Sequence, residues 1–338
     1  LHFSFIMQTI DITDVTIRFA GDSGDGIQLA GSQFAYASAV AGNSVVTLAD
    51  FPAEIRAPQG ATGGVSGFQI HFGDDAEMRS LGDEYTALVA MNAAALKANV
   101  ASLRKGGTLI VNVAGFDEKN LRLSGYERNP LEDGSLSQFQ LFAVDMRKLV
   151  VNALQGMDLP NKIIDQTKNF FALGLTYWLY SRQPEKTLEW IRKKFAETPE
   201  RAQANSRAFI AGWNYGENSE LFPTRFSVSP AALEAGRYRT ITGNAAVALG
   251  LVAAARKARL ELFLGSYPIT PASDILHTLA GLKHFRVKTF QAEDEIAAVA
   301  SAIGASYGGA LGATSTSGPG MALKAEALGL AVMAELPL

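Results

Sequence analysis

Val15 to Ala20 reads as a short buried strand that runs into Gly21-Asp22-Ser23-Gly24-Asp25-Gly26, after which helical periodicity extends from Ile27 through Ala41. A strand, a glycine turn and a helix in that order open a parallel α/β unit and leave few other folds available. A second strand at Val45 to Leu48 follows Gly42-Asn43, so the segment predicts a parallel βαβ crossover. Tyr85 to Ala90 predicts another strand, Ala93 to Leu103 a helix stopped by Gly106-Gly107, and Thr108 to Val113 the strand after it.

Phe68-Gln69-Ile70-His71-Phe72 alternates apolar and polar residues, as a half-exposed strand does, and is expected at an edge or in an antiparallel pair. Asn169 to Tyr180 and Thr187 to Ala211 predict helices, with Arg192-Lys193-Lys194 on a solvated face of the second. Between Asn214 and Thr240 the periodicity fails and Gly216, Pro223 and Pro230 gather, which predicts a linker over 213–240. An Ala- and Gly-rich composition begins at Ile241. Helices are expected at Ala245 to Ala258, Ser273 to Leu279, Asp294 to Gly308 and Met321 to Ala331, and strands at Leu260 to Leu264, Val287 to Phe290 and Ala313 to Thr316. With 338 residues, 48% of them hydrophobic and 19% charged, two α/β domains are expected.

Charge and residue content exclude several classes. Thirty basic and 33 acidic side chains leave a net charge of -3, so no long-range field draws in nucleic acid or an anionic membrane. The longest apolar candidate, Ala245 to Ala255, stops at Arg256 and Lys257, short of the roughly 20 residues a spanning helix needs. Leu1 to Ile6 lacks the basic start of a signal peptide, Met7 is read as the start, and a cytoplasmic setting is expected. The absence of cysteine rules out disulfides, thiolate metal sites and a thiolate-held cluster in these residues. Glu335 to Leu338 reads as the beginning of a buried strand, so the second domain is expected to be truncated there.

Five segments carry candidate chemistry. Gly21 to Gly26 could offer a helix N-terminus to an anion, but Asp22 and Asp25 would repel a pyrophosphate, and a tight turn or a contact at a cofactor's edge is the simpler reading. Asp50-Phe51-Pro52-Ala53-Glu54-Ile55-Arg56 is a loop with local ion pairs, or a contact site at a strand end. Gly265-Ser266-Tyr267-Pro268-Ile269-Thr270-Pro271 sets Thr270 between two prolines on a stiff loop, where a hydroxyl suits a carboxylate; Ser273 as a helix cap explains part of this pattern. Glu293-Asp294-Glu295 opens an apolar helix. Acidic residues there complement the helix dipole, but Glu295 shares its face with Ala298, Val299 and Ala302, so its carboxylate must find a partner or lose its charge. Thr314-Ser315-Thr316-Ser317-Gly318-Pro319-Gly320 is a strand-to-helix turn or an anion loop.

In this order and spacing the last three segments resemble the pyrimidine-binding domain of thiamine diphosphate enzymes. They most resemble the α subunit of 2-oxoacid:ferredoxin oxidoreductases, the 2-oxoglutarate type in particular. The N-terminal half is similar to the γ-type domain fused ahead of it, through Gly21 to Gly26, Ala49 to Arg56 and Gly63 to Phe72. The resemblance implies a γ-type α/β domain at 15–212 and an incomplete pyrimidine-type parallel α/β domain at 241–338. Glu295 then matches the glutamate that hydrogen-bonds N1′ of the aminopyrimidine, with Glu293 as its rival. Thr270 matches the threonine near the substrate carboxylate, Tyr267, Pro268 and Ile269 shape its loop, and Ser317 and Gly318 lie in the cofactor loop.

The implied activity is oxidative decarboxylation of a 2-oxoacid to acyl-CoA and carbon dioxide, with electrons passed to ferredoxin and coenzyme A as co-substrate. The resemblance further implies that thiamine diphosphate is shared with a β subunit carrying Mg2+ and a 4Fe-4S cluster, an obligate partner, and neither nucleic acid nor a membrane is expected. Two alternatives stand: a non-oxidative thiamine diphosphate decarboxylase or synthase, and a non-catalytic assembly subunit.

Overall fold

The computed structural model describes residues 8–52 and 58–338, and the chain forms two compact units that divide between Gly236 and Arg237. Met7 and the Ala53-Glu54-Ile55-Arg56 part of the strand-end motif lie outside the described residues.

In the first unit β1 (Gln8–Ile12) precedes β2 (Asp14–Asp22), α1 (Ile27–Val40), β3 (Ser44–Asp50), β4 (Val65–Gly73), β5 (Tyr85–Ala90), α2 (Ala93–Asn99), β6 (Leu103–Asn112), α3 (Glu118–Leu123) and β7 (Gln140–Val144). Helices α4 (Met146–Ala153), α5 (Asn161–Gln166), α6 (Lys168–Leu179), α7 (Glu185–Lys194) and α8 (Pro199–Asn218) follow, then β8 (Thr224–Val228). The main sheet runs β3-β4-β2-β5-β6-β7, while β1 pairs in parallel with β8.

Strands β2, β5, β6 and β7 are parallel, as the strand–turn–helix pattern predicts. The crossover from β2 does not return to β2's side, however. β4 lies between β2 and β3, antiparallel to both, with Ile70 opposite Ile17 on one side and Thr47 on the other. β4 is therefore neither an edge nor half-exposed: Phe68, Gln69, Ile70 and Phe72 are all buried. Its polar members are tolerated because the chain at 80–82 satisfies them, Gln69 Nε2 donating to the Leu81 and Gly82 carbonyls at 2.7 and 2.8 Å, and His71 Nδ1 lying 2.6 Å from the Ser80 carbonyl.

Helix α6 is buried along its whole length from Asn169 to Leu179. It crosses α8 at two glycines. A Cβ on Gly174 would stand 1.9 Å from the Phe209 carbonyl oxygen and one on Gly212 would stand 2.0 Å from that of Phe171, so the two backbones touch. Around them Phe34 makes edge contacts with Phe72, Tyr177 and Tyr180 at 5.5, 5.7 and 6.0 Å, each worth about 0.5–1.5 kcal/mol beyond its buried area.

The sequence pattern merges α7 and α8 into one helix, but Pro199 begins a new one. Thr198 before it leaves the helical region (φ -134°, ψ 73°), as a residue preceding proline tends to do. Helix α8 also continues to Asn218 and β8 follows, so the stretch expected as a linker holds a helix end and a strand; Trp213 and Tyr215 pack on the core of this unit. Helix α2 is shorter than expected, because Leu103 already belongs to β6.

The second unit alternates α9 (Gly243–Ala258), β9 (Leu262–Ser266), α10 (Ser273–Ala280), β10 (Val287–Gln291), α11 (Glu295–Tyr307) and β11 (Leu311–Thr314), then α12 (Gly320–Leu323) and α13 (Ala325–Met333). Its strands are all parallel in the order β10-β9-β11. Two strand glycines let α11 lie flush on the sheet: a Cβ on Gly265 or Gly312 would meet the Ala298 or Ala302 carbonyl oxygen at 2.3 Å. The single helix expected over Met321 to Ala331 is two, broken at Lys324, which is 1% exposed. Among the described residues no helix is long and apolar enough to cross a membrane.

Candidate functional site

Three chain segments of the second unit meet beyond the C-terminal ends of β9 and β11, the end of an open parallel sheet where ligands bind. The first is Ser266 to Pro271. Ser266 is fully buried and its Oγ meets that of Ser315 at 2.9 Å, which joins the ends of the two strands. Tyr267 follows, 5% exposed, packed with Ala292, Ala298 and half-buried Ile269. The Ser273 hydroxyl closes this loop from the helix start, accepting from the Ile269 backbone N–H at 2.9 Å and donating to the Ile269 carbonyl at 3.0 Å. Pro268 and Thr270 sit on its exposed outer side, and the Thr270–Pro271 peptide is cis.

The second segment is the start of α11. Asp294 caps the helix, its Oδ1 accepting from Ala297 N at 2.8 Å, a contact worth about 1 kcal/mol. One acidic residue of the triplet is thus accounted for by capping, and Glu293 is exposed. Glu295 is half-buried, one turn before buried Ala298 and Val299. Its side chain lies near the Tyr267 hydroxyl, both of them against Gly320.

The third segment is Thr314 to Lys324. Thr316 Oγ1 meets the Tyr267 hydroxyl at 2.8 Å, with the Ser317 backbone beside them. Burial, with the Glu295 charge next to it, pushes the Tyr267 phenol above its ordinary value, while the Thr316 bond opposes the shift. Gly318 is exposed at φ 58°, a left-handed conformation that favours glycine. Gly320 packs so closely that a Cβ there would stand 2.1 Å from Thr316 Oγ1, 2.5 Å from the Tyr267 hydroxyl and 3.0 Å from Glu295 Cγ.

The structure therefore brings Tyr267, Glu295, Thr316 and the Ser317 backbone together and leaves Thr270, Pro268 and Gly318 on the exposed side of their loops. Lys324, absent from the sequence-based candidates, completes the group from beneath: its Nζ donates to Thr314 Oγ1 at 2.7 Å and to the Ser315 carbonyl at 3.0 Å. A lysine two residues before Glu326, in a helical run otherwise free of charge, was the available signal.

In the first unit the glycine turn closes on itself. The Asp22 carboxylate accepts from Gly60 N at 3.1 Å and Asp25 Oδ2 from Asp22 N at 3.2 Å, so both acids brace the turn. Burial raises the Asp25 carboxyl above its ordinary value against the pull of Lys168. A cavity of about 150 Å³ opens beside Gly24, Asp25, Asn169 and Arg201. In the strand-end motif, Asp50 pairs with buried Arg18, whose Nε donates to Asn99 Oδ1 at 3.0 Å.

Residues 16–215 match a family described as pyruvate ferredoxin/flavodoxin oxidoreductase, and residues 253–338 match its thiamine diphosphate-binding domain. A curated relative, the 2-oxoglutarate oxidoreductase subunit KorA of Mycobacterium tuberculosis, is 53% identical over 327 residues, covering 97% of this chain and 50% of its own length. The α subunit of a Sulfurisphaera tokodaii 2-oxoacid:ferredoxin oxidoreductase is 30% identical over 64% of the chain and 35% of its own length. A solved 2-oxoglutarate:ferredoxin oxidoreductase from Magnetococcus marinus, with 2-oxoglutarate, coenzyme A and succinyl-CoA bound, is 30% identical with a TM-score of 0.73, over 96% of this chain and 51% of that one. The chain spans about half the length of the first of these relatives and of the solved structure.

Proposed function

The chain belongs to the pyruvate ferredoxin/flavodoxin oxidoreductase family, and from that premise we propose that it works in the thiamine diphosphate-dependent oxidation of a 2-oxoacid, 2-oxoglutarate by preference. The products are an acyl-CoA, carbon dioxide and reduced ferredoxin. The preference for 2-oxoglutarate is supported by the 53% identity to a 2-oxoglutarate oxidoreductase subunit and by the ligands of the solved Magnetococcus enzyme.

The observation that carries this reading is the half-buried carboxylate of Glu295, held beside the Tyr267 hydroxyl over a glycine-lined turn at the end of a parallel sheet. That donor set fits thiamine diphosphate: a carboxylate for a ring nitrogen, hydroxyls next to it held close by Gly320, and at Gly318 a backbone with open space around it. When bound, the coenzyme supplies the electron sink that lets the carboxyl carbon leave. In the proposed arrangement Glu295 exchanges a proton with N1′ of the aminopyrimidine. Tyr267 and Thr316 fix the carboxylate's direction by their shared bond, and Ile269 keeps the loop packed. Ser317 and Gly318 line the coenzyme's approach. Thr270, on its stiff loop, offers its hydroxyl to the carboxylate of the 2-oxoacid.

These 338 residues contain no cysteine to hold a cluster; the electron-carrying 4Fe-4S cluster, Mg2+ and the remaining part of the site are assigned to a β subunit. The γ-type domain of the first unit is the proposed neighbour of coenzyme A, and the working location is the cytoplasm.

The test is anaerobic viologen reduction by the full-length protein co-expressed with its β-type partner. Coenzyme A-dependent reduction with 2-oxoglutarate but not with pyruvate is expected. Carbon dioxide release without dye reduction would replace the reading with a non-oxidative decarboxylase, and silence with both acids would replace it with an assembly role.

A further inference from the structure

Lys324 separates α12 from α13 and turns inward until 1% of it remains exposed. An ammonium buried so deeply survives only with partners, and this one has partners from three directions. From β11 and the turn after it come the Thr314 hydroxyl at 2.7 Å and the Ser315 carbonyl at 3.0 Å. From the loop after β9 comes the Tyr267 ring, its centroid 5.4 Å from Nζ. From α11 the negative charge of Glu295 favours the ammonium from beyond ion-pair distance.

Simple filling of the space does not require a charge. A methionine has a similar length, and replacing a whole buried ion pair by apolar residues of like volume is often neutral or stabilising, whereas removing one charge leaves its partner uncompensated. What a methionine cannot do is balance the carboxylate of Glu295 while holding the end of β11 in place. Lys324 does both with one atom.

We propose that Lys324 is a positioning residue whose ammonium charge holds Glu295 and the Thr314 to Thr316 turn in the arrangement that receives the aminopyrimidine of thiamine diphosphate, an inference that rests on the functional reading above. Its chemistry makes the site sensitive to alkali. Burial pushes the Lys324 ammonium below the usual lysine range, while Glu295 opposes the shift. Glu295 and Tyr267 are the titratable groups that face it from α11 and from the loop after β9; β11 and its turn present neutral Thr314 and Ser315. With the folded-state value lowered, the charge is lost on the way up in pH before an ordinary lysine would lose it.

The experiment uses the full-length protein assembled with its β-type partner, comparing wild type, Lys324→Met and Thr314→Val. Viologen reduction and thiamine diphosphate affinity are followed from about pH 7 to about pH 10. In wild type, kcat is expected to fall on the alkaline side while the KM for 2-oxoglutarate stays nearly constant, with coenzyme affinity weakening in step. Thr314→Val keeps the shape but removes an acceptor from the charged amine, so the fall moves to lower pH by about half a unit or more. Lys324→Met turns over about 100-fold more slowly at neutral pH and has lost the alkaline fall in kcat and in affinity.

An alkaline fall that stays in place in both variants, or a Lys324→Met enzyme with at least half the wild-type kcat, overturns the proposal. If Lys324→Met does not assemble, the Thr314→Val profile alone decides. A wild type that neither binds thiamine diphosphate nor turns over 2-oxoacids overturns the functional reading itself, whereas a working wild type with unmoved variants overturns the role of Lys324 alone.

Discussion

The hydroxyls of Tyr267 and Thr316 meet at 2.8 Å, one residue past the end of β9 and two past the end of β11, and Gly320 lies against both. Any Cβ at Gly320 must push this pair apart, since it would begin 2.1 Å from one oxygen and 2.5 Å from the other. Gly320→Ala is therefore expected to weaken thiamine diphosphate binding by about tenfold and to cost roughly 1–3 kcal/mol of stability. Isothermal titration with the coenzyme and a urea melt of the same preparation check the two parts separately.

For Glu295 the informative change is to glutamine, which keeps the size and one acceptor but cannot exchange a proton. Turnover is expected to fall by at least about 100-fold with coenzyme binding and the circular dichroism spectrum little changed. Near-normal viologen reduction by Glu295→Gln would remove Glu295 from its proposed role.

The crossing of α6 and α8 predicts a purely structural effect. A methyl group on Gly212 would begin 2.0 Å from the Phe171 carbonyl oxygen and 3.0 Å from Leu175 N, both of them backbone atoms that cannot swing aside. Gly212→Ala is expected to destabilise the first unit by about 3 kcal/mol. The shift of the denaturant midpoint, with the slope unchanged, is the measurement.

Asp25 offers a pH test whose sign is fixed by burial. Its folded-state value is raised, so the fold prefers the protonated acid, and stability contributed by this group is lost as pH rises through that raised value. Asp25→Asn retains an oxygen to accept from Asp22 N and carries no charge. It is expected to be more stable than wild type by about 1 kcal/mol at neutral pH, the advantage disappearing below about pH 4. Equal stabilities at neutral pH would show that Lys168 fully offsets the desolvation.

How far the sequence discloses this arrangement depends on how local each feature is. Asp294 and Glu295, the strand end at Ser266 and the turn after Thr314 are legible, because each sits within a few residues of a strand-to-helix junction that periodicity marks. The place of β4 is not. Its alternating pattern reads as one wet face, and only the carbonyls of Ser80, Leu81 and Gly82, brought over it by the fold, turn Gln69 and His71 into inward residues. Lys324 is hidden for the same reason: its partners at 314–315 lie nearby in sequence, but Tyr267 and Glu295, which give its charge a use, come from other crossovers.

The pairing of β1 with β8 sets an order on the birth of the first unit. Gln8 aligns with Thr224 and Ile12 with Val228, and in this two-stranded sheet β1 has β8 as its neighbour. On the ribosome β1 emerges early yet must wait for nearly the whole unit to be translated before its backbone groups are matched. Until then β1 is an edge without its partner strand, and the seam cannot close before Thr224 to Val228 have been made.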